Sequence, residues 1–269
     1  DRAGGDRRCD HLSAFRCSPG DHRGQSPGRP RHDQLARRPR ALCFPADHRS
    51  LTLKPDRSPA MPLVDLSHPL VHGQQTFPMD PKLSIVPHGT TATLRYNITQ
   101  VSMSTHQGTH LDAMYHFLDD GKTLDQMPLD WFYGPATILR IPKEPREEIT
   151  PEDFQRHEAV LTRGAKIIYE TGWHRQFGAD NFYSDFPSLT QEAARYLVSR
   201  GIRMLGMDTP TPSRDWYEVH HILLAKEAEI VVVESLAHLD QVPDAIIFIG
   251  FPLNFAGRDG SPIRAVAMV

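Results

Sequence analysis

Residues 230–236 read IVVVESL, and the first four of them, Ile230 to Val233, are all β-branched, with no polar residue among them. Such a strand has no solvent face and belongs in a sheet covered on both sides, as parallel sheets are. The preceding 100 residues supply the coverage. GPATILRI (134–141), AKIIYET (165–171) and IRMLGMD (202–208) read as strands. Between them, Thr150-Pro151-Glu152-Asp153 opens a helix with a cap, a proline in the first turn and acids near the positive end. Thr190 caps QEAARYLVSR, which stops at Gly201, and EVHHILLAKEA (218–228) is helical. LVDLS opens the ordered pattern and TLRYNITQVSMST alternates, with Leu94, Tyr96 and Ile98 on one face. AIIFIGFPL and PIRAVAMV close the chain as strands. The expected fold class is α/β, one mixed domain over residues 61–269.

Residues 1–60 do not share this pattern. They hold 13 Lys and Arg, 7 Asp, no Glu and all three cysteines, and RGQSPGRPRHDQLARRPRAL has no sustained period. Such a segment buries too little apolar surface to offset its ordering entropy. The expectation is a disordered Arg/Pro-rich tail, translated from upstream sequence, with Met61 as the true start. Residues 61–269 then carry 17 basic and 26 acidic side chains, an acidic body that argues against a nucleic-acid partner. The body has no cysteine, which fits a reducing, cytoplasmic setting, and no apolar run suits a membrane span.

HQGTHLDAMYHF, residues 106–117, places His106, His110, Asp112 and His116 at i, i+4, i+6 and i+10. A helix would put only the first two on one face. A strand end meeting a tight loop at Gly108 lets all four converge. Imidazole and carboxylate are ligands for zinc, manganese or ferrous iron; hydrogen bonding on an ordinary polar loop is the alternative. Far along the chain, His220 and His221 lie on a helix and Glu234 ends the buried strand. A carboxylate there is costly unless a cation meets it, either a metal ion or an arginine such as Arg264.

The stretch THQGTHLDAMYHF resembles the HxGTHxDxPxHF signature of the metal-dependent cyclase family, which includes bacterial kynurenine formamidase and isatin hydrolase. DLSHPL (65–70), TGW (171–173), GMDTPTPSRD (206–215), HHILL (220–224), VVVESL (231–236) and GSPIRAVA (260–267) resemble further family blocks in the same order. The resemblance spans 61–269 and leaves the tail out. It implies a compact cyclase-type, swivelling β/β/α-like domain with a central barrel-like mixed sheet and outer helices, assembled as a homodimer or larger. It implies one or two divalent ions, Zn2+ or Mn2+, per subunit. His106, His110 and Asp112 would bind the first, and Asp112 would bridge to a second held by His220 (with His221 as the alternative) and Glu234. His116 matches the general acid/base, and Phe77 stands where the family has a tryptophan in its substrate pocket. Met114 replaces the signature's proline, which would loosen the backbone before His116. The implied activity is hydrolysis of an aryl formamide or cyclic amide, of the N-formylkynurenine or isatin kind, through metal-activated water. Lactone hydrolysis or dehydration at the same site, and non-catalytic binding of a metal or small ligand, are the other readings.

Overall fold

The computed structural model describes residues 61–269; the expectation for the tail lies outside the described residues. Thirteen strands occur in the described chain: β1 (Leu63–Asp65), β2 (Ser84–Gly89), β3 (Ile98–Ser102), β4 (His110–Asp112), β5 (Tyr133–Arg140), β6 (Glu148–Ile149), β7 (Lys166–Glu170), β8 (Ser188–Leu189), β9 (Met204–Met207), β10 (Val231–Glu234), β11 (Ala245–Ile249), β12 (Gly260–Pro262) and β13 (Val266–Met268). The helices are α1 (Thr91–Leu94), α2 (Pro151–Gln155), α3 (Gln191–Arg200) and α4 (Trp216–Leu223).

Nine strands form one sheet in the order β1-β13-β11-β5-β7-β9-β10-β4-β12, curled into a half-barrel. Its centre, β5-β7-β9-β10, is parallel, and the strands to either side are antiparallel. Parallel neighbours need crossovers, and α2, α3 and α4 lie on them. Two cores result. On β10, Val232 joins Leu197, Val219 and Leu223 beneath α3 and α4, while Val231 and Val233 face the other core with Leu111, Ile168 and Phe248. The β-branched run is thus buried on both faces, as its composition requires.

The capping signals act as read. Thr190 accepts a hydrogen bond from the Ala193 N–H (3.2 Å), and Gly201 ends α3 in the left-handed region at φ 69°. The Asp153 carboxylate accepts from the Thr150 N–H at 2.9 Å. Two segments differ from expectation. Thr90 and Thr93 form a capping box that winds 91–94 into a helical turn, and Arg95 reverses the chain at φ 67°, so the alternating strand shrinks to Ile98–Ser102. Helix α4 starts two residues earlier than read and stops at Leu223, because the chain must turn to enter β10.

The DLSHPL segment anchors β1 to the site. The Thr109 hydroxyl accepts from the His68 N–H (3.0 Å) and donates to the Ser235 carbonyl (2.6 Å), joining three distant segments. The His68 ring stacks on Phe177 at 3.7 Å, and burial, with His174 and His238 nearby, pushes its pKa down to about 4. A histidine buried neutral is protonated in the unfolded chain first, so it favours unfolding as pH falls from 6.5 towards 4. Urea titrations at pH 7.5 and pH 5 should show wild type losing on the order of 1–3 kcal/mol more than His68→Phe, which keeps the stack without the titration. Equal losses in the two proteins would remove His68 as the cause.

Candidate metal centre and its pocket

Strand alternation aims the first ligand candidates. His110 and Asp112 flank Leu111 on β4, so both point to the face opposite the core that Leu111 enters. The antiparallel register sets Glu234 against His110 and Val232 against Asp112, which brings the end of the buried strand to the same spot. Helix α4 packs over that face and adds His220. Gly108 makes the turn before β4 at φ +64°, and a Cβ there would meet Leu70 at 2.7 Å, so only glycine serves.

The side chains converge tightly. Asp112 Oδ1 lies 2.8 Å from His106 Nδ1 and 3.4 Å from His110 Nε2. Glu234 reaches His110 Nε2 and His220 Nε2, each at 3.2 Å, and Asp112 Oδ2 lies 3.6 Å from His220 Nε2. Asp112 and Glu234 therefore contact the same two imidazole nitrogens, near enough for one ion or for two about 3.5–4 Å apart. The far nitrogens are already engaged. His110 Nδ1 donates to the Gly108 carbonyl (2.8 Å) and His220 Nδ1 to the Trp216 carbonyl (2.7 Å), so each Nε2 is turned inward as a lone pair or a second N–H. His221 instead packs against Tyr217 and Phe117. Arg264 pairs with Asp65 at 2.7 Å, so Glu234 has imidazoles rather than an arginine for neighbours.

This donor set fits a divalent cation. His110 Nε2 and Asp112 Oδ2 are buried without an aligned hydrogen bond, although Glu234 and His220 stand 3.2 and 3.6 Å away. The charge balance agrees. Burial alone would raise the Asp112 carboxyl, but His106 above all, with His220 and His110, holds it well below the usual carboxylate range. Burial would likewise lower the imidazoles, yet His106 is pushed up to about 10 by Asp112 and Asp259, and His220 to about 9 by Asp112 and Glu234. In the metal-free protein, protons supply the positive charge that these carboxylates demand; a bound ion supplies it instead and releases them.

His116 sits differently. It ends a 3-10 turn, Met114–His116, with its ring stacked on His106 at 3.8 Å and half-open to the pocket. Burial, reinforced by His106 and His220, pushes its pKa down to about 4, so it is a neutral imidazole at pH 7. Met114 is buried in the core, and the His116 N–H still donates to the Ala113 carbonyl (3.0 Å). Packing thus holds the turn that proline would stiffen in the signature.

A pocket with about 620 Å³ of empty space opens over the cluster. Phe77 lines it, and its ring lies edge-on to Tyr183 (6.2 Å) and Trp216 (6.5 Å), with Phe117 6.0 Å beyond Trp216. Tyr183 and Trp216 are not singled out by the sequence, nor is Asp259, whose Oδ2 lies 2.7 Å from His106 Nε2. The one signal for Asp259 was its position directly before the GSPIRAVA block.

The sequence pattern of the family described as Cyclase matches residues 64–214. The chain belongs to the cyclase family. Kynurenine formamidase of Bacillus cereus is 31% identical over 207 residues, covering 76% of this chain and 95% of the relative. Kynurenine formamidase of Bacillus cytotoxicus is 32% identical over 208 residues, with the same coverage. Among solved structures, isatin hydrolase A of Labrenzia aggregata superposes with a TM-score of 0.67 at 29% identity, over 79% of this chain and 95% of that one. A potential metal-dependent hydrolase with cyclase activity gives 0.66 at 25% identity, over 77% and 98%. Among the described residues, no helix is long and apolar enough to cross a membrane.

Proposed function

We propose that this chain is a metal-dependent hydrolase that cleaves a C–N bond outside a peptide, in an aryl formamide or cyclic amide of the N-formylkynurenine or isatin kind. The observation that carries the reading is the pair of buried ligand atoms without an aligned hydrogen bond, His110 Nε2 and Asp112 Oδ2, in a cluster whose His106, His110, His220 and Glu234 line an aromatic-walled pocket. Its relatives, a formamidase and an isatin hydrolase, support the substrate class.

In this reading His106, His110 and Asp112 hold one divalent ion, and His220 and Glu234, with Asp112 between, hold the same ion or a second. The ligand set suits zinc or manganese. When bound, such an ion supplies Lewis acidity, polarising an amide carbonyl and acidifying water for attack. The chain's own residues do the rest. Phe77, Tyr183 and Trp216 take the aryl ring edge or face and keep bulk water from the reacting carbon. His116 is neutral, so it can accept a proton from the attacking water and return it to the departing nitrogen, which leaves as a neutral amine. Asp112 and Glu234 stay ionised throughout.

The test is an assay of purified protein, stripped with chelator and then reloaded with Zn2+ or Mn2+, on N-formylkynurenine, isatin and simple lactones. Metal-dependent turnover of one of the first two is expected. Turnover of lactones alone would move the activity to ester chemistry. Metal binding with no turnover of any substrate would favour a binding protein.

A further inference from the structure

Asp259 immediately precedes β12, which pairs with β4 and so lays the C-terminal segment beside the ligand strand. Its Oδ2 lies 2.7 Å from His106 Nε2, receives the Thr105 hydroxyl at 2.9 Å, and stands 4.0 Å from His116 Nδ1. The other nitrogen of His106, Nδ1, is 2.8 Å from Asp112 Oδ1. A neutral imidazole has one N–H and one lone pair. An ionised carboxylate at Nε2 can only accept, so it claims the N–H. The lone pair is then left on Nδ1, directed at the point that Asp112 also faces. In the metal-free protein a second proton bridges Nδ1 and Asp112; a bound ion would replace it there and leave the one N–H on Nε2, facing Asp259.

We infer that Asp259 is a positioning residue that fixes the tautomer and orientation of His106, so that Nδ1 is presented to the metal. The inference rests on the metal reading above. The surroundings are shaped for this contact. A Cβ on Gly260 would stand 2.6 Å from His106 Cε1, so the residue after Asp259 leaves room for the ring where any side chain would displace it. His116 stacks on His106, and Thr105 steadies the carboxylate. The Asp259 carbonyl separately accepts the Ala113 N–H at 2.8 Å, so the segment is held without the side chain.

The experiment measures affinity for Mn2+ and Zn2+, by competition with a chromophoric chelator, in wild type, Asp259→Asn, His106→Ala and the double variant. Loss of a partner that orients a metal-binding histidine costs about 10–100-fold in metal affinity, and Asp259→Asn should fall in that range. In the His106→Ala background the second change should cost nothing more, because nothing remains to orient. Thr105→Val, which spares both side chains, should give a smaller loss and serves if Asp259→Asn fails to fold when melted in excess chelator. Wild-type affinity in Asp259→Asn, or in Thr105→Val where that variant replaces it, overturns the inference. Additive losses in the double variant also overturn it, since Asp259 would then be a ligand itself, alongside His106 and His116, whose donor atoms all lie within 4.8 Å of it. A wild-type chain that binds neither ion removes the metal reading and this inference together.

Discussion

Asp112→Asn should lose bound metal almost completely, by more than the roughly 10–100-fold that changes outside the ligand shell cost. The reason is its place at the centre. It contacts His106, His110 and His220 and is fully buried, and among the described residues no other carboxylate pairs with all three. The amide keeps the shape of the carboxylate but removes the charge that a cation needs. Glu234→Gln touches only His110 and His220, so its loss of metal should be the smaller. Elemental analysis of proteins purified side by side reads both. The metal-free proteins must be melted too, since removing one partner of a buried charge network costs about 3–5 kcal/mol. The metal site stands if metal content falls further than that stability change explains. Wild-type metal content in both variants would end it, and a drop in melting temperature with metal retained would make Glu234 a structural anion.

What could be read from the chain beforehand depended on distance along it. His106, His110 and Asp112 lie within seven residues, so one glycine turn and one short strand place them, and both signals are local. Glu234 was legible for another reason: a carboxylate ending Val231-Val232-Val233 would be unstable alone in the sheet. The choice of His220 over His221 came from resemblance; in the fold His220 is buried against the carboxylates and His221 is only half-buried. Asp259 was not legible. It lies 153 residues from His106, and the two meet only because β12 pairs with β4 in one register. An Asp-Gly pair reads as a turn wherever it stands. Tyr183 and Trp216 come from the loop before β8 and the start of α4, and no period links them to Phe77. The alternation of Leu94, Tyr96 and Ile98 predicts a strand, but the Thr90–Thr93 capping box outweighs it and winds 91–94 into a helical turn.

His116→Ala should keep its metal and lose turnover by roughly 100- to 10,000-fold, the usual worth of a positioned proton carrier. Geometry leaves two roles open to this side chain. Its donor atom lies within 4.8 Å of those of Asp112 and His220, close enough to ligate. Against that, its ring is the most exposed of the four histidines and stacks on His106. Its pKa is also the only one of the four pushed down, to about 4, because burial and the neighbouring imidazoles outweigh the attraction of Asp112. Two measurements separate the roles. Metal content should match wild type within error, and free imidazole added to His116→Ala should restore part of the lost rate by diffusing into the vacated space. If metal falls in step with turnover and imidazole restores nothing, His116 is a ligand, and the proton must travel by another group in the pocket.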